Sequence, residues 1–216
     1  MSGVRFGIVV YDDVEPIDVG ATFGVLSMAR RVDPGIEMFL VAARAGTVRL
    51  TGGLQIVAES GFADCPAADA FIVTGGAGWQ REAANPEMLA FLRRLAASTA
   101  VVASVCTGAM ILAAAGLLDG HRATTKRAVT GAEVAPLAIL RDTYPAVRAL
   151  TARVVDEGAV VTGGGVSLAI DLTLHLLARL CGAAVAAETA RIIEYTAAWQ
   201  ANGAAFETLA LATPTT

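Results

Sequence analysis

Short apolar runs alternate with stretches of helical periodicity along most of the chain. The runs at residues 4–11, 36–43, 69–74 and 100–105 are rich in β-branched residues and lack polar alternation. Such runs are typical of strands buried on both faces. Strands that alternate with helices predict a mainly parallel sheet sandwiched by helices, an α/β fold of the doubly wound type.

The remaining pattern completes this α/β sandwich. A hairpin or bulged strand pair is predicted at residues 47–58, and a second strand pair at residues 152–161 is predicted to turn at Asp156-Glu157-Gly158. Neither a repeat nor a linker interrupts the chain, so we predict one domain over residues 1–216, with 205–216 as a tail whose end frays. The predicted helices cover residues 19–31, 86–97, 107–115, 129–140, 167–180 and 184–195.

Composition excludes several classes of protein. Of the 216 residues, 55% are hydrophobic and 17% are charged, which excludes intrinsic disorder. The net charge of −4 comes without a basic run, so we expect no nucleic-acid partner. No apolar run is long enough for a membrane helix, and no signal peptide is recognisable, so we expect no membrane partner either.

The cysteine and histidine content is low. Cys65, Cys106 and Cys181 are too few and too widely spaced for a disulfide framework, and we therefore expect a reducing, cytoplasmic location. His121 is expected to be solvated in a loop, and His175 to be a core or interface residue. No metal-binding cluster and no Cys–His dyad can be identified.

Cys106 carries the strongest chemical signal. In an open α/β sheet, ligands bind outside the carboxyl ends of the strands, and Cys106 directly follows one, with the small Ser104 before it and Gly108 after it. This is the packing requirement of a nucleophile elbow. A helix N-terminus there favours the thiolate. The alternative is a buried structural cysteine, which a pKa near 8.5 or above would favour; Cys65 and Cys181 are expected to be such packing residues.

Asp18 follows the first predicted strand and would face the same edge of the sheet. A partly buried carboxyl with a raised pKa can transfer protons, but Asp is also a good N-cap for the helix that follows. The sequence leaves these two roles open. The neighbouring Asp12, Asp13 and Glu15 are expected to be solvated loop charges.

Two glycine-rich loops also follow predicted strands. Glycines let backbone amides approach a ligand closely, so both loops are candidates for a substrate or oxyanion pocket. The second loop lacks the Lys-Ser/Thr of a phosphate-binding P-loop, so we do not expect nucleotide binding. The candidate pocket residues are Gly75 and Gly76 in the first loop and Gly164, Gly165 and Val166 in the second.

The stretch from 104 to 125, SVCTGAMILAAAGLLDGHRATT, resembles the nucleophile-elbow signature of the ThiJ/PfpI superfamily, which has a class I glutamine-amidotransferase-like fold. It is most similar to the branch that contains isonitrile hydratases and the amidase-like domains of AraC-type regulators. Further matches at Ile17-Asp18 and residues 61–66, 74–76 and 162–166 follow in the family's order and span nearly the whole chain.

The resemblance implies a flavodoxin-like sandwich, a homodimer, a small-molecule substrate and no metal or organic cofactor. Carried over to this chain, it implies that Cys106 is the nucleophile and Asp18 the carboxyl partner lying against the thiol. Thr107 would contribute a hydroxyl and a backbone N–H, and Gly76 another N–H to the pocket.

Two departures bear on the reaction. Relatives commonly read Ala-Thr-Thr-His-Trp where this chain has Lys126-Arg127 after its threonines, and hydratase relatives have a Thr-Gly-Pro-like stretch where it has Val19-Gly20-Ala21-Thr22. Chemistry that needs a Cys–His pair is therefore disfavoured, whereas hydration by Cys and Asp is less affected.

Three functions follow from the resemblance. The first is an isonitrile-hydratase-like enzyme that forms a Cys106 thioimidate and releases an N-substituted formamide. The alternatives are a glyoxalase or deglycase acting on α-oxoaldehydes, and a non-catalytic thiol-based sensor or ligand-binding protein. Since the sequence ends at Thr216 without a basic helix-turn-helix pair, we do not expect direct control of transcription.

Overall fold

The computed structural model of the protein describes residues 3–211, which form a seven-stranded sheet covered by helices. The strands lie in the order β11-β9-β10-β6-β5-β1-β2, and every neighbouring pair is parallel except β9 and β10. The strands of this sheet are β1 (Arg5–Val9), β2 (Glu37–Val41), β5 (Ala70–Val73), β6 (Val101–Ser104), β9 (Val154–Asp156), β10 (Val160–Gly163) and β11 (Thr208–Ala210).

Two pairs of short strands lie outside this sheet, one antiparallel and one parallel. The predicted hairpin consists of β3 (Gly46–Arg49) and β4 (Gln55–Ala58), joined through a 3-10 turn at Thr51–Gly53. The second pair, β7 (Arg122–Ala123) and β8 (Arg148–Ala149), is parallel and was not predicted.

The helices form two groups. Helices α1 and α2 with the π-helical turn between them pack near α7 and α8, whereas α3, α4 and α5 pack against one another. No helix within residues 3–211 is both long enough and apolar enough to cross a membrane. The helices are α1 (Pro16–Val19), the π-helical turn (Gly20–Gly24), α2 (Val25–Ala29), α3 (Trp79–Ala83), α4 (Pro86–Ser98), α5 (Gly108–Ala114), α6 (Pro136–Thr143), α7 (Leu168–Leu180), α8 (Ala183–Ile192) and α9 (Thr196–Ala205).

The strand order reverses beside β1. The chain runs from β1 outward to β2, and then from β5 in the opposite direction to β6 and β10. Because crossovers between parallel strands are right-handed, this reversal places the connecting helices on opposite faces and opens a crevice at the carboxyl ends of β1 and β5. The register aligns Val9 with Val73 and Val73 with Ser104, so the segments after these three strands meet at one edge. The predicted flavodoxin-like, mainly parallel sandwich is confirmed.

Local signals predicted several elements well. Strands β5, β6 and β10 are buried along their whole length, as their continuous apolar runs predict. Helix α4 begins as predicted, with Pro86 in its first turn and the Asn85 side chain accepting a hydrogen bond of 3.0 Å from the Glu87 N–H.

Other elements differ from the predictions. The helix predicted at residues 129–140 begins only at Pro136, because proline is well accommodated in the first turn of a helix and disfavours a helix in the residues before it. Helices α3 and α9 were not predicted. Residues 126–135 are irregular and contribute to the site instead.

The predicted tail is wrong over its first residues. Within 205–216, Thr208–Ala210 forms the edge strand β11, parallel to β9. Arg153 holds it there: its N–H donates to the Glu207 carbonyl at 3.0 Å and its Nε to Thr208 Oγ1 at 2.8 Å. The ATPTT end, residues 212–216, lies outside the described residues.

The substitution Leu92→Ala tests the packing of α4 against the sheet. Leu92 is fully buried between α4 and the sheet, and truncating a buried leucine costs about 2–5 kcal/mol because the cavity collapses only in part. Urea unfolding should show a loss of this size. The control is Leu211→Ala, at a leucine that is 54% exposed; an equal loss in both variants would contradict the assigned packing.

Candidate active site

Cys106 occupies a sharp bend between β6 and α5. Its φ of 51° lies in the left-handed region, which for a residue other than glycine costs on the order of 1–3 kcal/mol and persists only where neighbours hold it. Two hydrogen bonds do so here. The Cys106 N–H donates to the Gly164 carbonyl at 3.1 Å, and the Thr125 hydroxyl donates to the Cys106 carbonyl at 2.6 Å. The predicted nucleophile elbow is therefore present.

Gly75 allows the end of β5 to lie directly against this bend. A Cβ atom at Gly75 would lie 2.5 Å from the Thr107 nitrogen and 2.8 Å from the Cys106 Cβ, which is closer than van der Waals contact allows. The Gly75 N–H donates to Asp18 Oδ2 at 2.8 Å. Gly75 therefore brings together the cysteine and the carboxyl group.

Asp18 lies fully buried behind the cysteine. It is the third residue of α1, whose N-cap position is held by Glu15, so the N-cap role for Asp18 is wrong. Its Oδ1 makes no hydrogen bond of ordinary geometry within residues 3–211. Nevertheless the Cys106 thiol is close enough to affect the pKa of Asp18 and to be affected by its charge.

The pKa of Asp18 is raised to about 7. Burial is the largest cause, because it disfavours the charged carboxylate, and the negative charge of Glu15 adds to it. The Gly75 N–H, the Cys106 thiol and the Lys126 ammonium act in the opposite direction. The carboxyl group therefore titrates near neutral pH, where general acid–base catalysis is most efficient.

The thiol of Cys106 is protonated at neutral pH. Burial, followed by the Asp18 carboxylate, raises its pKa to about 12, although the N–H groups of Val166 and Thr107 and the Lys126 charge lower it. The predicted low-pKa thiolate is therefore wrong, and by the pKa alone the alternative of a buried structural cysteine is favoured. The case for Cys106 as a nucleophile rests on the elbow geometry and on the cavity that it lines. Desolvation outweighs the favourable helix end, because α5 is short and Cys106 is only 3% exposed.

The first glycine loop is held by Thr107. The Gly76 N–H donates to Thr107 Oγ1 at 2.9 Å, so its predicted role as a free pocket donor is wrong. A Cβ atom at Gly76 would lie 2.4 Å from the Asp13 carbonyl oxygen, which explains the glycine. The Thr107 hydroxyl thus positions the loop, while its own N–H faces the sulfur.

The second glycine loop supports the sulfur from the other side. Val166 has a φ of 54°, a strained value for a β-branched residue, and its N–H reaches Cys106. The Gly164 N–H donates to the Arg153 carbonyl at 2.9 Å, so this N–H holds the loop in place and is not free to bind a substrate. Gly165 makes room for Lys126, whose Cβ would lie 2.7 Å from a Cβ there.

A cavity of about 560 Å³ opens in front of the sulfur. Of the predicted site residues, Cys106, Thr107, Gly76 and Val166 line it, whereas Asp18, Gly75, Gly164 and Gly165 do not. Sequence reasoning missed its outer wall, since the irregular segment carries no recognisable motif. The unpredicted lining residues are Glu15, Ala77, Trp79, Gln80, Lys126, Val129, Glu133, Val134, Pro136 and Ile139.

The loop acids after β1 differ from one another. Glu15 is half-buried at the cavity, so the prediction of a solvated loop charge is wrong for it. Asp13 is exposed and pairs with Arg81 at 3.1 Å, and Asp12 accepts the Arg49 N–H at 2.9 Å.

Both histidines lie at the opposite edge of the sheet from Cys106. His175 Nε2 lies 2.7 Å from Asp156 Oδ2, and His121 Nδ1 lies 3.5 Å from Glu157, at the turn between β9 and β10. Neither histidine lines the cavity at Cys106, and His121 is paired with Glu157 rather than simply solvated. Within residues 3–211, no three His, Cys, Asp or Glu side chains are grouped as a metal site would require.

The sequence matches a known family over most of its length. The DJ-1/PfpI family model covers residues 4–179. The chain belongs to the DJ-1/PfpI family. Isonitrile hydratase from Pseudomonas putida is 34% identical over 193 residues, which cover 88% of this chain and 76% of that enzyme. The HTH-type transcriptional regulator GbdR from Pseudomonas aeruginosa is 30% identical over 88% of this chain but only 50% of the regulator.

Solved DJ-1/PfpI structures confirm the fold. A THiJ/PfpI family protein from Pseudomonas syringae has a TM-score of 0.77 and 28% identity, covering 91% of this chain and 76% of that one. DJ-1beta from Drosophila melanogaster has a TM-score of 0.75 at 17% identity, covering 89% and 98%, which supports the fold alone.

Replacing Asp18 with asparagine should change how stability depends on pH. The carboxyl is ionised above about pH 4 in the unfolded chain but only above about pH 7 in the folded protein. Wild-type stability therefore falls as pH rises from 4 to 7, by up to about 4 kcal/mol. The unfolding free energy of Asp18→Asn relative to wild type should rise by this order between pH 4 and pH 8. The same urea titration of the exposed Asp119→Asn is the control, and a constant difference for Asp18→Asn would contradict the assignment.

The same substitution should make Cys106 more reactive towards a simple alkylating agent. Removing the carboxylate lowers the thiol pKa, because one of the two causes that raise it is lost. Iodoacetamide labelling of the Cys106 peptide at pH 8, followed by mass spectrometry, should be faster in Asp18→Asn than in wild type. Cys65 and Cys181, whose pKa values burial raises to about 11, serve as internal controls. Slower labelling of Cys106 would refute the coupling.

Proposed function

We propose that the protein is a cofactor-free hydratase that converts an isonitrile into an N-substituted formamide. The observation that carries this proposal is the buried Asp18 carboxyl behind the Cys106 thiol, at the floor of a cavity that no histidine lines. Such a pair supplies a nucleophile and a proton carrier. The 34% identity to isonitrile hydratase from Pseudomonas putida supports the substrate class.

The first step adds the thiol across the terminal carbon of R–N≡C. Cys106 Sγ forms the S–C bond as its proton passes to the Asp18 carboxylate, which then delivers the proton to the same carbon. The product is a thioimidate, R–N=CH–S–Cys106. The N–H groups of Val166 and Thr107 stabilise the negative charge that develops on sulfur when the proton leaves.

The second step adds water to this thioimidate. Asp18 accepts a proton from the water as the water oxygen attacks the carbon, and it passes that proton to the nitrogen. This gives R–NH–CH(OH)–S–Cys106 and regenerates the Asp18 carboxylate. The C–S bond then breaks as the hydroxyl proton returns to sulfur, releasing R–NH–CHO and the thiol. A carboxyl with a pKa of about 7 exchanges protons in both directions at neutral pH.

The structure favours this reaction over the alternatives. Glyoxalase or deglycase chemistry through a Cys–His pair lacks its histidine at this cavity. A thiol sensor requires thiolate character for rapid oxidation, whereas the Cys106 pKa is raised to about 12. The similarity to GbdR supports one other candidate, a domain that binds a small-molecule ligand without converting it.

We further propose that the protein acts as a homodimer. The exposed apolar side chains of Ile17, Leu54 and Val57 give it apolar surface near the first glycine loop and the β3–β4 hairpin. Sedimentation equilibrium measures the mass directly, and a monomer at micromolar concentration would contradict this proposal without affecting the reaction.

The reaction is tested by hydration of p-nitrophenyl isonitrile, with loss of methylglyoxal assayed in parallel. Cys106→Ala should abolish hydration because the S–C bond cannot form. Asp18→Asn should lower kcat by about 100-fold or more, the usual contribution of a positioned acid–base group. Cys65→Ser is the matched control, since this second free cysteine does not line the cavity. Full activity of Cys106→Ala rejects the mechanism, and faster loss of methylglyoxal than of isonitrile favours the glyoxalase alternative.

A further inference from the structure

A second cavity shares Lys126 and Val166 with the cavity in front of Cys106. Its volume is about 330 Å³, and it lies between the second glycine loop and the end of α9, where Asn202 and Phe206 line it. Cys106 does not line this second cavity, and the proposed reaction makes no use of it. The second cavity is therefore available to a different ligand.

The wall of the second cavity is positively charged. Lys126 and Arg127 line it, and no aspartate or glutamate does so among the residues that the structure describes. Asn202 of the same wall donates to the Asp171 carboxylate at 2.9 Å, but Arg153 already pairs with Asp171 at 3.1 Å. That buried carboxylate therefore leaves the two positive charges of the wall uncompensated, and the wall attracts an anion.

The Arg127 guanidinium is oriented but unpaired. Its Cζ atom lies 4.1 Å from the centroid of the Phe206 ring, and this cation–π contact restricts its position. In the described part of the chain, its N–H groups have neither a hydrogen-bond acceptor nor a carboxylate partner. A guanidinium with free N–H groups binds the oxygens of a phosphate or a carboxylate through two parallel hydrogen bonds.

Side chains, and not the end of a helix, form this candidate site. The first three N–H groups of α7 donate to the carbonyl groups three residues earlier, so they are already engaged. Ser167 lines the cavity at the N-cap position of α7, but its hydroxyl makes no capping hydrogen bond. Arg127, Lys126 and the Ser167 hydroxyl are therefore the groups that remain to bind an anion.

Lys126 connects the second cavity with the Cys–Asp pair. Its ammonium group donates to the carbonyl of Ala128, which lines the second cavity but not the first. The same positive charge lowers the pKa of Asp18 and of Cys106. An anion bound beside Lys126 offsets that charge, so it disfavours the ionised thiol.

We propose that the second cavity binds a phosphate group, either as free phosphate or as a small phosphate ester, and that the bound group makes Cys106 less reactive. Two positive side chains match the double negative charge of a phosphate better than the single charge of a carboxylate. The volume of about 330 Å³ lies at the lower end of the range for ligand pockets, which leaves room for a small ester group. This inference does not depend on the proposed reaction.

Binding is tested with inorganic phosphate, phenyl phosphate and acetate, each titrated at constant ionic strength and followed by NMR line broadening of the ligand. We expect saturable phosphate binding with a Kd on the order of 1 mM, as is usual for so small a ligand, and binding of acetate that is more than about tenfold weaker. Tighter binding of phenyl phosphate identifies an ester as the natural ligand, and equal binding identifies free phosphate. If neither phosphate binds saturably, or if acetate binds as tightly, the inference is overturned.

The substitution Arg127→Gln locates the bound phosphate. It should weaken phosphate binding more than about tenfold, because it removes hydrogen bonds between charged partners. Arg31→Gln removes the same charge from an exposed residue that lines neither cavity, and it is the matched control. Because Arg127 does not line the cavity in front of Cys106, undiminished binding in Arg127→Gln would place the phosphate elsewhere and overturn the assignment.

The effect on Cys106 is measured by iodoacetamide labelling at pH 8, which requires no turnover. Saturating phosphate should slow labelling of the wild-type Cys106 peptide about threefold, the order expected from an added negative charge several ångströms away in a partly solvated site. The labelling rate of Arg127→Gln should not change when the same phosphate concentration is added, and Cys65 and Cys181 serve as internal controls. An unchanged rate for wild-type Cys106 at saturating phosphate overturns the proposed effect.

Discussion

A carboxyl group buried without a full set of hydrogen bonds is the constraint on which this site depends. Asp18 is wholly inaccessible, with one firm N–H donor to Oδ2 and none of ordinary geometry to Oδ1 within residues 3–211. Ionising such a group is costly because protein atoms replace water. The cost is sustained because the ends of β1, β5 and β6 enclose the carboxyl, with Gly75 allowing their close approach. The result of this unfavourable burial is a carboxyl group whose pKa is raised to about 7.

The thiol and the carboxyl act as a coupled pair. The Asp18 carboxylate raises the pKa of the Cys106 thiol, whereas the thiol lowers the pKa of Asp18. Their protons therefore belong to the pair and not to either residue alone. A protonated Cys106 beside a carboxylate suits a reaction in which the substrate takes up both a nucleophile and a proton at one carbon. In this member of the DJ-1/PfpI family, burial affects the pKa of the Cys106 thiol more than the helix that follows the elbow does.

Prediction from the sequence succeeded where the signal is local and failed where it depends on neighbours. The apolar runs identified the central strands, and the small residues around Cys106 identified the elbow. The thiolate prediction failed because a helix end is visible in a sequence but desolvation is not. The role of Gly76 was misjudged for a similar reason: a glycine indicates close approach, but only the fold reveals that its N–H meets Thr107. The helix predicted at 129–140 is an exception, because it begins only at Pro136 and the proline is itself a local signal for that boundary.

The sequence by itself determined the alternation of the central strands with helices, the position of Cys106 at a strand-to-helix turn and the carboxyl as its candidate partner. These follow from periodicity and from residue types that a sharp strand-to-helix turn requires. Only the tertiary structure decided that Asp18 is buried, that the thiol keeps its proton, and that residues 126–139 form an apolar wall. Those properties depend on which side chains are shielded from water. Contacts between segments far apart in the chain determine that shielding.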